Sequence, residues 1–150
     1  MLRKLAVGPY QSNCYILGDK ETGEGLVIDP GDEVFRIVKE ISHLGLTIQY
    51  ILITHGHIDH VGGARELKEI TKAPVWIHPL DAGGLGFRPD GNLAEGQEIS
   101  SGRFKISVIH TPGHSPGGVC FHTAGAVFTG DTLFAGSIGC LLYTSDAADE

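Results

Sequence analysis

The stretch YILITHGHIDHVGG, residues 50–63, joins an apolar run to a cluster of ionisable side chains. Three histidines and one aspartate fall within the six positions 55–60. The run IQYILIT, residues 48–54, is nearly continuous in apolar residues, which is typical of a strand buried on both faces. The stretch therefore predicts a central strand with polar groups at its carboxyl end, where α/β folds commonly bind ligands.

Strand patterns recur on both sides of this stretch, with two helical patterns between them. This alternation predicts an α/β fold class and one compact domain. Residues 81–97 are rich in glycine and are expected to be irregular. The expected strands span residues 2–8, 13–18, 25–31, 48–54, 75–78, 104–110, 118–123 and 126–130.

Two amphipathic helices are expected between these strands. Apolar residues recur at steps of three and four over residues 33–44, where Asp32 is placed to cap the helix. Residues 61–72 form the second helical pattern, in which Leu67 and Ile70 would enter the core. Each helix would then present one apolar face to a sheet.

Composition restricts the classes of function. The 150 residues are 41% hydrophobic and 19% charged, which suits a globular domain. The formal net charge of −7 offers no basic surface for nucleic acid or an anionic membrane. No apolar stretch approaches the roughly 20 residues of a transmembrane helix, and residues 1–11 do not resemble a secretory signal. We therefore expect a cytoplasmic protein that binds neither nucleic acid nor membrane; its oligomeric state stays open.

The spacing of the histidine cluster indicates a metal site. In an extended segment alternate side chains point the same way, so His55, His57 and Asp59 would share a side while His60 faces elsewhere. The cluster would then divide into a pair of imidazoles and an aspartate–histidine pair, and Gly56 argues against a helix here. A solvated loop is the alternative, but four ionisable groups so close together must stay hydrated or find partners.

Two distant segments each add one polar residue after an expected strand. His114 lies in HTPGHSPGG, residues 110–118, and Asp131 lies in FTGDTLF, residues 128–134. Each signal is weak alone, because aspartate is common in turns, but together with the cluster they form a strong pattern. Asp29 in IDPG either supports a ligand histidine from behind or simply ends its strand.

The strings THGHIDHVGG, TPGHSPGG and GDTLFAGSIG, in that order, resemble the metallo-β-lactamase superfamily and, within it, the glyoxalase II-like hydrolases. The resemblance covers residues 2–139 and implies a four-layer αββα sandwich with metals at one edge of its two sheets. By that resemblance His55, His57 and His114 bind a first metal ion, Asp59 and His60 bind a second, and Asp131 bridges both.

The resemblance weakens after the GDTLF segment. The family supplies a further histidine to the second metal from well beyond it, but no histidine follows His122 here. Residues 140–150, CLLYTSDAADE, resemble the translation of a sequencing adapter. We therefore expect a metallo-β-lactamase-like domain over residues 1–139, incomplete at its C-terminus, and a non-native tail over residues 140–150.

The function implied by the resemblance is metal-dependent hydrolysis. Two divalent ions, zinc above all, with iron or manganese as alternatives, suit such imidazole and carboxylate ligands. A hydroxide bridging the ions would attack a small-molecule thioester of the hydroxyacylglutathione type, with Asp59 as the catalytic residue that orients it. Two alternatives stay open: a persulfide-dioxygenase-like oxidoreductase with one iron, and a truncated chain without activity.

Overall fold

The structure, a computed structural model, describes residues 1–123 and 126–129. Asp131 and the tail over residues 140–150 lie outside the described residues. None of the helices in these described ranges could span a lipid bilayer. The helical segments are α1 Val34–Leu44, α2 Ile58–Val61, α3 Ala64–Thr71 and a 3₁₀ segment Pro79–Leu85. The strands are β1 Leu2–Val7, β2 Ser12–Asp19, β3 Glu24–Ile28, β4 Thr47–Leu52, β5 Val75–Ile77, β6 Gly91–Asn92, β7 Glu98–Ser101, β8 Phe104–His110, β9 Val119–Thr123 and β10 Ala126–Phe128.

The strands form two sheets that pack face to face. The first sheet has the order β1-β2-β3-β4-β5-β6, and the second has the order β10-β9-β8-β7. Strands β3 to β6 run parallel, whereas the second sheet is antiparallel throughout. Helices α1 and α3 cover the outer face of the first sheet. Residues 1–123 and 126–129 thus supply three of the four expected layers: one of helices and two of strands.

The central strand β4 is buried on both faces, as its apolar run predicts. Ile51 and Ile53 belong to the core between the first sheet and the helices, while Leu52 belongs to the core between the sheets. All three side chains are 0% exposed. Because β3, β4 and β5 are parallel, their carboxyl ends meet at one edge, and the histidine cluster begins at that edge.

Helix α1 follows the predicted apolar stripe but begins differently. The residue before it is Glu33, in a left-handed conformation (φ 50°) and without a side-chain capping bond. The prediction that Asp32 caps the helix is therefore wrong. Asp32 instead accepts a hydrogen bond from the backbone N–H of Glu33 (2.7 Å), which serves the turn before the helix.

The helix predicted over residues 61–72 is shorter, α3 Ala64–Thr71, and a separate short helix, α2, precedes it. α2 ends at Val61 and α3 begins at Ala64. Gly63 between them lies against the loop after β3, where an added Cβ would stand 2.7 Å from the carbonyl oxygen of Pro30. The two backbones approach too closely for any side chain at this position.

The glycine-rich stretch over residues 81–97 was predicted to be irregular, and this is wrong in part. It holds most of the 3₁₀ segment and also β6, which pairs with β5. Strand β7 is absent from the prediction as well. The sequence EISSGRFKIS, residues 98–107, has the pattern of a β-hairpin, because two alternating apolar–polar runs flank a turn at Gly102. In the structure β7 pairs antiparallel with β8 across this turn.

A buried carboxylate joins the two sheets at the end remote from the cluster. Asp19 ends β2 and is 1% exposed. It accepts four hydrogen bonds, three from Arg103 in the turn between β7 and β8 and one from the backbone N–H of Glu21. Side-chain hydrogen bonds from Arg103 hold the pKa of Asp19 well below its usual value, although burial opposes them.

Helix α3 offers a matched pair of truncations. Leu67 is 0% exposed, whereas Ile70, predicted to enter the core, is 50% exposed. Leu67→Ala is expected to lower the free energy of unfolding by about 2–5 kcal/mol, because it removes buried apolar surface and leaves a cavity. Ile70→Ala should cost less than about 1 kcal/mol. Urea unfolding followed by circular dichroism measures both, and equal losses would contradict this packing.

Asp19→Asn is expected to destabilise the protein in a pH-dependent way. A carboxyl with a lowered folded pKa stabilises the fold above its unfolded pKa of about 3.9, and this contribution disappears as pH falls through the folded pKa. The difference in melting temperature between wild type and variant should therefore be largest above roughly pH 5 and shrink toward acid. Thermal melts across this range test it; a constant difference would exclude the Arg103–Asp19 contact as its cause.

Candidate metal centre

The candidate site lies at the edge where the parallel strands of the first sheet end. His55 and His57 lie in the loop after β4, and α2 begins at Ile58. The backbone therefore turns into a helix where an extended segment was predicted, so the expected alternation fails for Asp59. The predicted aspartate–histidine pair is still present, because Asp59 and His60 are neighbours on α2. Oδ2 of Asp59 lies 3.3 Å from Nε2 of His60.

Three imidazoles from two distant segments meet at this edge. Ring centroids are 4.7 Å apart for His55 and His57, 4.6 Å for His57 and His114, and 5.7 Å for His55 and His114. His114 comes from the loop between β8 and β9, 57 residues from His57, and its Nε2 lies 3.2 Å from Nδ1 of His57. The structure thus brings together the three residues predicted for the first metal.

The spacing of these ring nitrogens fits a single metal ion. Each ring offers one nitrogen, and the three nitrogens lie within 4.8 Å of one another. Nitrogens around a tetrahedral zinc ion, at about 2.0–2.1 Å from it, stand roughly 3.3–3.4 Å apart. The 3.2 Å between His114 and His57 is close to that value. His55 is buried whereas His57 and His114 are exposed, so the group opens to solvent on one side.

Asp29 orients two histidines from behind. Of the two roles that the sequence allows for Asp29, support of a ligand histidine and a simple strand end, the structure shows the first. Its carboxylate is 1% exposed and accepts hydrogen bonds from the backbone N–H (2.7 Å) and the hydroxyl (2.5 Å) of Thr54. Because the Thr54 hydroxyl donates to Asp29, it accepts from Nδ1 of His55 (3.0 Å). Nδ1 of His60 lies 2.9 Å from the same carboxylate. Because Nδ1 of each ring is taken up by Thr54 or Asp29, Nε2 is the nitrogen that each ring can offer to a metal ion.

Asp59 is held by a residue that the sequence analysis missed. The hydroxyl of Ser12 donates to Oδ2 of Asp59 at 2.8 Å. Burial raises the pKa of Asp59, but the hydrogen bond from Ser12 and the neighbouring His60 outweigh it and hold that pKa below its usual value. Asp59 is therefore ionised at neutral pH. No local sequence signal marks Ser12, because it precedes Asp59 by 47 residues and reaches it through sheet pairing.

Asp81, in the 3₁₀ segment, is a second residue that the sequence analysis missed. It is 7% exposed and accepts hydrogen bonds from Gly56, Ser115 and Gly117, which flank the predicted ligands. Burial raises the pKa of Asp81, but these three hydrogen bonds outweigh it and keep that pKa below its usual value. Aspartate is common in turns that follow strands, so the sequence around Asp81 does not mark it as a site residue.

The other histidines near this edge stand apart from the cluster. His78 and His110 stack on each other with ring centroids 4.4 Å apart. In the part of the chain that the structure describes, neither joins a group of three potential ligands. Asp131 lies outside the described residues, so its bridging role stays a prediction.

A cleft opens beside Asp59. Its volume is about 320 Å³, and Asp59 forms part of its wall. Tyr10, in the turn between β1 and β2, and Ile58, at the start of α2, also line it. Both apolar side chains are largely exposed, at 76% and 71%. A small molecule with an apolar portion can therefore reach Asp59 from solvent.

Residues 7–149 match the family model of the metallo-beta-lactamase superfamily. The chain belongs to this superfamily. It is 36% identical to the probable metallo-hydrolase YqgX of Bacillus subtilis, over 91% of this chain and 73% of that protein. It is 35% identical to the hydroxyacylglutathione hydrolase GloC of Haemophilus influenzae, over 90% of this chain and 73% of that protein. It also resembles the crystal structure of TTHA1623 in a di-iron-bound form, with a TM-score of 0.73 and 35% identity, covering 88% of this chain and 73% of that one.

Membership of the metallo-beta-lactamase superfamily confirms the resemblance and the α/β fold class predicted from the sequence. The chain is a metal-dependent hydrolase of this superfamily with a histidine-rich metal site. Two groups of side chains share His55: one with His57 and His114, the other with His60 and with Asp29, whose carboxylate contacts Nδ1 of His60 from behind the ring. Two adjoining groups are consistent with a binuclear centre.

Metal binding at these imidazoles is expected to stabilise the fold. Zinc at about 100 times its Kd adds about 2.7 kcal/mol to the free energy of unfolding, which is roughly 5–11 °C in melting temperature for a chain of this size. His114→Ala should lose most of this shift, because one of three clustered rings is removed. His43→Ala, in the last turn of α1, is the matched control and should keep it.

Scanning fluorimetry with zinc and with a chelator measures these shifts. A zinc-dependent shift that survives in His114→Ala at full size would show that zinc binds elsewhere.

Proposed function

We propose that this protein hydrolyses small-molecule thioesters of the hydroxyacylglutathione type with two divalent metal ions. The observation that carries the proposal is the meeting of His55, His57 and His114 beside the Asp59–His60 pair, with Asp59 in the wall of an open cleft. The name of the 35% identical GloC supports the substrate class.

The residues present fit the group that this reaction needs. His55, His57 and His114 would hold one ion, and Asp59 and His60 the other, with Asp131 proposed as the bridge. Zinc suits these imidazole and carboxylate ligands, and iron is the alternative; the related structure of TTHA1623 is a di-iron form. When bound, such a pair of ions lowers the pKa of an attacking water toward neutrality and polarises the substrate carbonyl.

Asp59 is the residue we assign to orienting the attacking water. Its carboxylate lies in the wall of the cleft, is ionised at neutral pH, and is held in place by the Ser12 hydroxyl. A fixed carboxylate accepts a hydrogen bond from water and directs the oxygen lone pair toward the carbonyl. Ser12 thus limits the positions that Asp59 can adopt.

The burial of Cys14 and Cys120 supports water, and not a cysteine side chain, as the nucleophile. Cys14 is 0% exposed, and burial raises the pKa of its thiol far above the usual value. Cys120 is buried as well. Since the thiolate is the reactive form, a buried neutral thiol cannot attack a thioester. Hydrolysis by a directly attacking water needs no covalent intermediate on the protein.

The cleft suits a small thioester. Tyr10 and Ile58 offer apolar contact for the acyl chain or the thiol carrier, next to the carboxylate of Asp59. The net charge of −7 favours a free small molecule over nucleic acid or an anionic membrane surface. We therefore propose a cytoplasmic enzyme acting on a diffusible substrate.

Thiol release from lactoylglutathione tests the proposal directly. The zinc-loaded protein should release thiol above the rate of the metal-free protein, as measured with a chromogenic thiol reagent. Asp59→Asn should lower kcat by roughly a hundredfold or more, because the amide neither binds metal well nor orients water. Asp90→Asn is the matched control and should keep wild-type kcat, since Asp90 pairs with Lys68 outside the site.

Two other outcomes would replace the proposal. No thiol release from protein with two bound metals would remove the thioesterase assignment. Oxygen uptake with a persulfide by protein that holds one iron would assign it to the mononuclear-iron oxidoreductases, whose site needs two histidines and one carboxylate. Counting bound metal by mass spectrometry alongside both assays separates these cases.

A further inference from the structure

The two loops that carry the clustered imidazoles come from different sheets. His55 and His57 follow β4 of the first sheet, whereas His114 lies between β8 and β9 of the second. A backbone hydrogen bond from Val119 N–H to the carbonyl of Thr54 (2.8 Å) joins the loops at their base. Closer to the imidazoles the link runs through a third segment, the 3₁₀ turn after β5.

Asp81 contacts both loops with one carboxylate. Oδ2 accepts from the backbone N–H of Gly56, the residue between His55 and His57, at 2.7 Å. Oδ1 accepts from the backbone N–H of Gly117 at 2.7 Å. The hydroxyl of Ser115, next to His114, donates to Oδ2 at 2.7 Å. Each donor lies within three residues of an imidazole of the cluster.

The packing around Asp81 leaves the two loops little freedom to move. A Cβ on Gly56 would stand 2.5 Å from the carbonyl oxygen of Asp81, and a Cβ on Gly117 would stand 2.7 Å from its backbone nitrogen. The Asp81 N–H is itself fixed by a 2.9 Å hydrogen bond to the carbonyl of His78, the last residue before the 3₁₀ segment. A displacement of either loop would therefore break a buried hydrogen bond or force a backbone clash.

We propose that Asp81 is a positioning residue, which sets the spacing between the His55–His57 pair and His114 by binding both of their loops at once. The proposal rests on the metal site of the proposed function. A carboxylate meets the requirement because it only accepts hydrogen bonds, and three donors point at it. An asparagine would present an amide group to at least one of these donors, so a backbone N–H on one loop would lose its acceptor.

Asp81→Asn in the full chain tests the proposal through metal affinity. Residues that orient ligands from behind typically change affinity by about 10–100-fold, and we expect a loss of that size for zinc in competition with a chromophoric chelator. The visible absorption of the cobalt-substituted protein should also change, because it reports ligand geometry. Ser115→Ala removes one donor of three and should cause a smaller loss of affinity.

Asp19→Asn is the matched control. Asp19 is also a buried aspartate that accepts several hydrogen bonds, but it lies at the opposite end of β2 from Ser12. At about 3.3 Å per strand residue, the two ends are roughly 23 Å apart. This variant should lower the melting temperature and leave both the zinc affinity and the cobalt spectrum at wild-type values. If Asp81→Asn matches Asp19→Asn in all three measurements, Asp81 is merely structural and the proposal is overturned.

A second readout needs no metal. Amide hydrogen exchange of the metal-free protein should be faster at Gly56 and Gly117 in Asp81→Asn, while the amides of β4 stay at wild-type rates. Unchanged exchange at both glycines would overturn the proposal. If the wild-type protein binds no zinc, the metal site and the proposed function fail, and exchange at these two glycines still decides whether Asp81 holds the loops.

Discussion

Strand β4 has a helix layer on one face and a second sheet on the other, so no polar side chain can be accommodated along its buried part without cost. Ile51, Leu52 and Ile53 fill these two interfaces. The polar groups that follow must leave the core where the strand ends, at the edge it shares with β3 and β5. That one constraint brings Asp29, His55 and Asp81 to a common edge, because each follows one of these parallel strands.

Each group at this edge is held by a partner from elsewhere in the fold. Asp29 orients His60 directly and His55 through Thr54, while Ser12 holds Asp59. Buried polar groups are costly unless they are hydrogen-bonded, and a satisfied network is rigid for the same reason. These hydrogen bonds therefore fix the orientations of His55, His60 and Asp59 at this edge.

The sequence predicts the parts of this arrangement that depend on local pattern. The double burial of β4, the buried stripe of α1 and the convergence of His114 on the cluster follow from apolar runs, periodicity and motif strings. Ser12 and Asp81 could not be found in this way. Ser12 reaches Asp59 only because of the register of the first sheet, and Asp81 reaches Gly56 and Gly117 only because two distant loops pack against the 3₁₀ segment. The prediction that Ile70 enters the core is wrong for a related reason. Periodicity shows which face of a helix is apolar, but the neighbouring elements decide how much of that face is buried.

Anomalous X-ray diffraction at the zinc edge, from crystals of the zinc-loaded protein, would show directly whether these imidazoles bind the metal. We expect one zinc ion at about 2.0–2.1 Å from ring nitrogens of His55, His57 and His114, and a second ion bound by Asp59 and His60. Zinc bound only at other side chains, or an anomalous map without a peak among these three rings, would contradict this expectation.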